Sequence, residues 1–150
     1  MTTLREEVSI EAPAERVWAV VHEDLENAPR WTSSLRRATL LDGHMGRGAR
    51  VRYDLDLAGW KGSLEVEHDT WRRPRKAAGH FTDGPLRGSW SYSYSERAGK
   101  TRLVYEMDYQ LAGMLRLLGG VLAGQYAAGI RDNMVSLKRY IEAGKGPKPK

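Results

Sequence analysis

The feature that most constrains the fold is a strict alternation of serine and aromatic residues from Ser89 to Ser95, which reads Ser-Trp-Ser-Tyr-Ser-Tyr-Ser. A period of two places Trp90, Tyr92 and Tyr94 on one face of a β-strand and the serines on the other. One face is therefore buried while the other meets water, which is typical of antiparallel sheets. This segment predicts one strand of an antiparallel sheet with a single wet face.

The same alternation recurs along most of the chain. It is found, with varying regularity, at residues 6–12, 35–42, 50–57, 63–69, 76–82 and 103–111. Turn signals rich in glycine, proline or basic residues separate several of these segments, at residues 43–48, 59–62, 72–75, 83–85 and 97–100. Together they predict about seven successive antiparallel strands.

Helical patterns occur at two places. Pro13 suits the start of a short helix over residues 15–21, and a second short helical turn is expected from Glu23 to Trp31. Near the C-terminus, apolar residues recur at spacings of three and four and predict one long helix. They are Leu118, Leu122, Tyr126, Ile130, Met134, Leu137 and Ile141.

The first half of this long helix contains Gly119, Gly120, Gly124 and Gly129. Each costs about 1 kcal/mol of helix stability relative to alanine. Such a run favours either close approach to another group or a mobile segment. The surrounding stretch, residues 111–123, is apolar nearly all round and is expected to be a helix packed over a cavity, with transient membrane contact as the alternative.

Composition bounds the class of protein. At 150 residues, with 41% hydrophobic and 29% charged residues, the chain fits one globular domain. It has no cysteine, which excludes disulfides, thiolate metal sites and a cysteine nucleophile. We find no apolar run near the roughly 20 residues that span a bilayer and no signal peptide, and we expect a cytoplasmic protein.

The net charge of +5 is concentrated at one end. Three of the 24 basic residues lie in residues 144–150, and without them 21 basic residues face 19 acidic ones. We therefore expect a domain over residues 1–143, a flexible basic tail over 144–150, and no nucleic-acid partner. A basic cluster at Arg72, Arg73, Arg75 and Lys76 beside Trp71 is expected to be a solvated strand turn.

The inward faces of the predicted strands carry many aromatic rings with polar atoms. These rings are Tyr53, Trp90, Tyr92, Tyr94, Tyr105 and Tyr109. A buried tyrosine hydroxyl needs a partner or water, so several converging tyrosines favour a cavity with a few polar groups over a dry core. The alternative is that some of these hydroxyls reach the rim of the sheet.

The four histidines are His22, His44, His68 and His80. Their spacings of 22, 24 and 12 residues match no ligand pair of a helix or hairpin, so we expect no metal site. His68 lies on an inward face, where it is either a satisfied core histidine or a group that orients a ligand or acts as a general base. The orientation of His80 depends on the register of the weakest strand.

Familiar cofactor and nucleophile motifs are missing from the sequence. The glycine-rich segment 43–48 lies between two strands and so lacks the helix N-terminus that would receive a phosphate. Gly88-Ser-Trp-Ser91 lacks the nucleophile elbow of serine hydrolases. No cofactor is expected.

Five local motifs carry a family resemblance. They are Ala12-Pro-Ala-Glu-Arg-Val-Trp18, Ala28-Pro-Arg-Trp31, Leu86-Arg-Gly-Ser-Trp-Ser-Tyr92, Gly99-Lys-Thr-Arg-Leu-Val-Tyr-Glu106 and Leu137-Lys-Arg-Tyr-Ile-Glu142. As a set they resemble the START-like (SRPBCC) superfamily, with its polyketide cyclase/dehydrase and lipid-transport members, over residues 4–143. The resemblance implies an α+β helix-grip fold, in which a curved antiparallel sheet wraps around a long C-terminal helix and encloses a ligand cavity.

The resemblance and the inward faces together predict a hydrophobic small-molecule ligand, such as a lipid, polyketide or other aromatic compound. The predicted lining residues are Trp31, Tyr53, Val66, His68, Phe81, Trp90, Tyr92, Tyr105, Tyr109, Leu122, Tyr126 and Ile130. A cyclase or dehydratase is the alternative, with His68 and either Tyr92 or Tyr105 as the candidate proton donor and acceptor. A partner-binding adaptor is the third class, and it would need an exposed apolar patch. The oligomeric state stays open.

Overall fold

The structure is a computed structural model that describes residues 2–57, 60–112 and 115–147, with side chains for all of these except 57, 60 and 115–126. Its strands are β1 (Thr2–Ile10), β2 (Leu35–Leu40), β3 (Arg50–Leu57), β4 (Trp60–Arg72), β5 (Lys76–Asp83), β6 (Leu86–Arg97) and β7 (Lys100–Leu111). The helices are α1 (Ala14–His22), a 3₁₀ helix (Leu25–Arg30) and α2 (Leu115–Glu142).

The strands form one seven-stranded antiparallel sheet in the order β1-β7-β6-β5-β4-β3-β2. Strands β2 to β7 are joined in sequence, and β1 closes the far side by pairing with β7. The sheet curls into a half-barrel that carries the C-terminal helix, so the predicted α+β helix-grip fold is confirmed. Alternation along each strand leaves one face buried and the other wet, as the sequence pattern predicts.

Some predicted boundaries were wrong. The segment 59–62 was expected to be a turn, yet Trp60 to Gly62 belong to β4, with Trp60 opposite Leu57 across the ladder. β1 begins at Thr2 rather than at residue 6, because its pairing with β7 continues to the end of that strand. The second helical turn is a 3₁₀ helix that contains Pro29, whose missing N–H suits a short helix better than a long α-helix.

A β-bulge in β4 determines the place of Trp71. The ladder between β4 and β5 skips Asp69, so the strict alternation that begins at Leu64 ends after His68. Trp71 therefore turns inward, and its ring lies 5.7 Å from that of His68 and 4.9 Å from that of Trp18. The turn next to it is not purely solvated, because its tryptophan packs into the core.

Arg73 ties the same turn to α1. Its guanidinium donates to the Glu15 carboxylate at 2.9 Å and to the Glu23 carboxylate at 2.9 Å. One guanidinium group thus bridges Glu15, in the first turn of α1, and Glu23, the residue that follows the buried His22 at the end of the helix. Arg73 is therefore engaged in ion pairs with α1 and is not free to bind a phosphate group.

The C-terminal half of α2 packs across the sheet at β1 and β7. Leu137 and Ile141 are fully buried there, and Lys138 Nζ donates to the carbonyl of Ser9 at 2.7 Å. Arg16 reaches from α1 to the carbonyl of Ile141, also at 2.7 Å. No helix in the described part of the chain is long and apolar enough to cross a membrane.

The chain after α2 turns back onto α1. The guanidinium of Arg16 donates to the carbonyl of Lys145 at 3.4 Å, and Gly146 lies so close to Val20 that a Cβ on it would be 2.8 Å from Val20 Cγ2. Residues as far as 146 therefore lie against the domain. The domain boundary at residue 143 and the flexible tail stay predictions.

Candidate functional site

A cavity of about 130 Å³ lies between the sheet, α1, the 3₁₀ helix and α2. Nine of the residues predicted from the sequence line it: Trp31, Tyr53, Val66, His68, Phe81, Trp90, Tyr92, Tyr105 and Ile130. Twelve further residues line it as well: Val21, His22, Leu25, Ala28, Thr32, Ser34, Leu35, Leu55, Leu64, Asn133, Met134 and Leu137. None of the described lining residues is an aspartate, glutamate, lysine or arginine, so the wall offers only apolar groups and uncharged polar ones.

Three predicted lining residues are not among these. Tyr109 is buried on the same face of β7 as Tyr105 but is not among the described lining residues, so its place in the site stays a prediction. Tyr105 is the described lining residue of β7, and its hydroxyl donates to the sulfur of Met107 at 3.3 Å. Leu122 and Tyr126 lie outside the residues whose side chains the structure describes, as do the first three glycines of the predicted helix.

The register of the sheet assembles the aromatic wall. Tyr92 lies opposite Tyr105 across the β6–β7 ladder, and the two rings are 4.7 Å apart. Trp90 lies opposite Gly79, where a Cβ would come within 2.8 Å of Trp90 Cζ2 and 1.9 Å of the carbonyl oxygen of Glu67. Only glycine at position 79 lets the indole and the neighbouring strand approach this closely.

His68 has one defined tautomer. Its Nδ1 lies 3.0 Å from the carbonyl oxygen of Ala49, and because a carbonyl only accepts hydrogen bonds, Nδ1 carries the proton. Burial lowers the pKa of His68, so the ring is neutral near pH 7 and Nε2 holds a lone pair. No described residue gives Nε2 a hydrogen bond. The ring packs edge-on against Trp90, with centroids 4.9 Å apart.

His22 is a cavity residue that the sequence interpretation missed. It ends α1, is 4% exposed, and its Nε2 lies 2.7 Å from the hydroxyl of Tyr94. Burial first, and then the nearby His68, lower its pKa well below the ordinary 6.5, so this ring is also neutral. The available signal was its position four residues after Trp18, which places both residues on one helix face.

The hydroxyl of Tyr94 and Nε2 of His22 share a buried hydrogen bond of 2.7 Å. Burial raises the pKa of Tyr94 well above 10, so the hydroxyl keeps its proton and both partners are neutral. The cavity wall thus includes two neutral histidines, of which His68 has a defined tautomer with a lone pair on Nε2.

Tyr53 is neutral as well, because burial raises its pKa to about 12. With both histidines neutral and no charged side chain in the described wall, the cavity is electrically neutral at pH 7. A neutral wall of this kind favours apolar ligands that make a few hydrogen bonds.

His80 faces away from this cavity. It lies opposite Glu67 across the β4–β5 ladder, and its Nδ1 is 2.8 Å from a carboxylate oxygen of Asp69. His80, Glu67 and Asp69 each place one possible metal-ligand atom within 4.8 Å of the other two. The side chains of His80 and Asp69 are about half exposed. The three form a polar cluster on the surface, separate from the cavity.

The fold and the cavity wall agree with a family match. The profile of the family described as "Polyketide cyclase / dehydrase and lipid transport" matches residues 1–142. The chain belongs to this family. No curated protein sequence matches the chain significantly.

Solved structures similar to this polyketide cyclase/dehydrase and lipid-transport family member share its fold at low sequence identity. TTHA0849 from Thermus thermophilus is 19% identical, with a TM-score of 0.81 over 97% of this chain and 100% of its own. The Zhui aromatase/cyclase from Streptomyces is also 19% identical, with a TM-score of 0.70 over 97% and 99%. A START superfamily protein from Mycobacterium smegmatis is 18% identical, with a TM-score of 0.67 over 90% and 98%.

Proposed function

We propose that this protein binds a hydrophobic small molecule in the cavity between the sheet and α2, for transport or sequestration. The observation that carries the proposal is the wall itself, in which aromatic and aliphatic side chains surround about 130 Å³ and a few neutral polar groups interrupt them. Ligand sites have this composition because burial of apolar surface supplies affinity while the polar groups fix orientation. Membership of a family with cyclase and lipid-transport members supports the same class of ligand.

The predicted ligand-binding residues contribute to this proposal according to where they lie in the cavity wall. Trp31, Phe81, Val66 and Ile130 supply apolar surface, and the tyrosines of β3, β6 and β7 supply rings with hydroxyls. Any part that Leu122, Tyr126 or Tyr109 plays in binding rests on the sequence pattern alone.

A cavity-filling substitution tests the proposal. Ala28 is 5% exposed and lines the cavity, so the ring of Ala28→Phe would occupy the ligand's space. Native mass spectrometry of protein purified from its own host should show a bound small molecule in the wild type and none in this variant. Ala143→Phe, at an exposed position beyond α2, is the matched control and should keep the bound mass. A ligand retained by Ala28→Phe, or cavity-sized compounds that never bind the wild type, would contradict the proposal.

An enzymatic role as a cyclase or dehydratase is the second candidate. The observation that favours it is the neutral His68 with a free Nε2 lone pair, which is the form a general base needs. Tyr92 and Tyr105 line the same cavity and carry phenolic hydroxyls, of which that of Tyr105 donates to the sulfur of Met107. The cavity volume favours binding instead, because an extended poly-β-ketone chain is much larger than 130 Å³.

Turnover separates the two candidates. If a poly-β-ketone analogue is cyclised by the wild type, and His68→Ala abolishes cyclisation while analogue binding persists, the protein is an enzyme. If the analogue binds without conversion, the carrier role stands. His44→Ala changes an exposed histidine far from the cavity wall and is the control that should alter neither readout.

A partner-binding adaptor has less support. Such a protein would present a continuous apolar patch to its partner. Among the described residues, Val135 is the only large apolar side chain classed as exposed, at 41%. One isolated valine does not make a docking surface.

A further inference from the structure

The size of the cavity limits the ligand to about one ring. A protein cavity of about 150 Å³ lined by apolar side chains takes up benzene. The cavity here has a volume of about 130 Å³, which is close to that size. A single six-membered ring fits the space as it stands, whereas a fused ring system or an acyl chain would extend beyond it.

The charge of the wall limits the ligand to a neutral molecule. An ion moved from water into a buried site loses several kcal/mol of hydration unless an opposite charge receives it. The described wall contains no charged side chain, and its two histidines are neutral. Benzoate-like and phosphate-bearing ligands are therefore disfavoured relative to uncharged rings of the same size.

The tautomer of His68 defines which polar group the ligand carries. The bond to the Ala49 carbonyl fixes the proton of His68 on Nδ1 and leaves Nε2 as an acceptor. This bond also increases the basicity of Nε2, as in other histidines held by a carbonyl. A ligand with a hydroxyl hydrogen satisfies Nε2, while a ligand without a donor leaves it unpaired.

His22 lies on the same wall and adds no charge to it. Its ring is neutral, and its Nε2 shares a hydrogen bond with the Tyr94 hydroxyl at 2.7 Å. Both histidine rings pack against Trp71, with centroid separations of 5.8 Å and 5.7 Å. A hydroxyl group can donate to the His68 acceptor, which neither an ether, which only accepts, nor a hydrocarbon can do.

We infer that the cavity selects a neutral phenol of one ring, whose hydroxyl donates a hydrogen bond to Nε2 of His68. This inference rests on the proposed binding function and adds to it the class of ligand. In this arrangement the aromatic wall of Trp90, Tyr92 and Tyr105 contacts the ring, and Nε2 of His68 accepts the hydrogen bond from the hydroxyl.

Phenol and toluene form a matched pair of probes, since they have nearly the same shape and differ in the hydroxyl. The variant His68→Asn keeps an N–H that can donate to the Ala49 carbonyl and lacks the Nε2 acceptor. Titration calorimetry gives the ratio of the phenol to the toluene association constant in each protein. We expect this ratio to fall at least tenfold in His68→Asn, because a buried hydroxyl without its partner loses about that much affinity.

Two further measurements separate recognition from damage. His80→Asn, at a histidine outside the cavity, should leave the ratio unchanged. In long-range proton–nitrogen spectra of the wild type, the Nε2 resonance of His68 should move on addition of phenol and stay in place on addition of toluene. A variant that merely loosened the cavity would weaken toluene and phenol alike and leave the ratio unchanged.

The outcomes distinguish this inference from the proposed function. The selection of phenols is overturned if the ratio of the phenol to the toluene association constant is unchanged in His68→Asn. It is also overturned if the Nε2 resonance of His68 does not move when phenol is added. In both cases the proposed binding of a small molecule still stands. Binding of 2-naphthol or a fatty acid in preference to any single ring also overturns the selection of phenols and supports the wider proposal. If no small molecule binds, the proposed function fails and the inference with it.

Discussion

Acidification from pH 7.5 to pH 5.5 should destabilise the fold through its buried histidines. His22 and His68 have pKa values lowered by burial, that of His22 well below the ordinary 6.5, whereas the unfolded chain titrates near 6.5. Below that pH the unfolded state binds more protons than the native state does, so the free energy of unfolding falls as pH falls. The stabilisation from neutral, buried histidines is thus present above pH 6.5 and lost below it.

The magnitude follows from proton linkage. A histidine that stays neutral when folded and titrates at 6.5 when unfolded costs about 1.4 kcal/mol of stability between pH 7.5 and pH 5.5. Because the pKa of His22 is lowered more strongly than that of His68, we expect a total loss between about 1.4 and 2.8 kcal/mol. Glu142 has its pKa lowered, first by the backbone N–H of Glu11 and then by Lys138, so its contribution is lost only at more acidic pH.

Urea unfolding at the two pH values, followed by tryptophan fluorescence, measures this loss. The variant His22→Gln keeps a hydrogen-bonding group for the Tyr94 hydroxyl and cannot titrate, so its pH dependence should fall by about 1.4 kcal/mol, which is half or more of the wild-type value. His44→Gln, at an exposed position, should keep the full dependence. A wild-type loss below about 0.5 kcal/mol, or a His22→Gln variant with undiminished dependence, would refute the reasoning.

Three other predictions follow from packing and charge. Gly79→Ala should lower the free energy of unfolding by about 3 kcal/mol or more, since its Cβ would meet a strand carbonyl at 1.9 Å, while Gly46→Ala, with open space around it, should cost far less in the same urea titration. Leu137→Ala should cost about 2–5 kcal/mol because the side chain is fully buried, against under about 0.5 kcal/mol for the exposed Val135→Ala; equal losses would contradict the assigned core. Truncation after Ala143 removes three lysines and should abolish any weak binding to duplex DNA in fluorescence anisotropy, and micromolar, salt-sensitive binding by the shortened chain would contradict this.

The aromatic wall shows how much of the site can be predicted from the alternation of residues within single strands. Trp90, Tyr92 and Tyr105 were placed on inward faces by a period of two, and they do line the cavity. A pleated strand alternates its side chains wherever it lies, so the pattern needs no knowledge of the neighbouring strands. Trp71 lies beyond the alternating segment 63–69, and its inward place follows from the bulge at Asp69, which depends on how β4 pairs with β5.

The limits of the cavity were harder to predict. Tyr109 shares its inward face with Tyr105, and alternation alone gives no reason to separate them. Where a cavity ends along a strand depends on which helices cover that part of the sheet. His22 was missed for a related reason, since a helix face predicts burial but not which cavity or partner it meets.

By itself the sequence determined the element order, the antiparallel sheet with one wet face and the helix that crosses it, because these depend on periodicity within short segments. Only the tertiary structure decided the chemistry of the cavity. The proton of His68 is fixed by a carbonyl 19 residues away, and His22 meets the Tyr94 hydroxyl across 72 residues of chain. Contacts at such separations arise from how the elements pack together, and no local spacing encodes them.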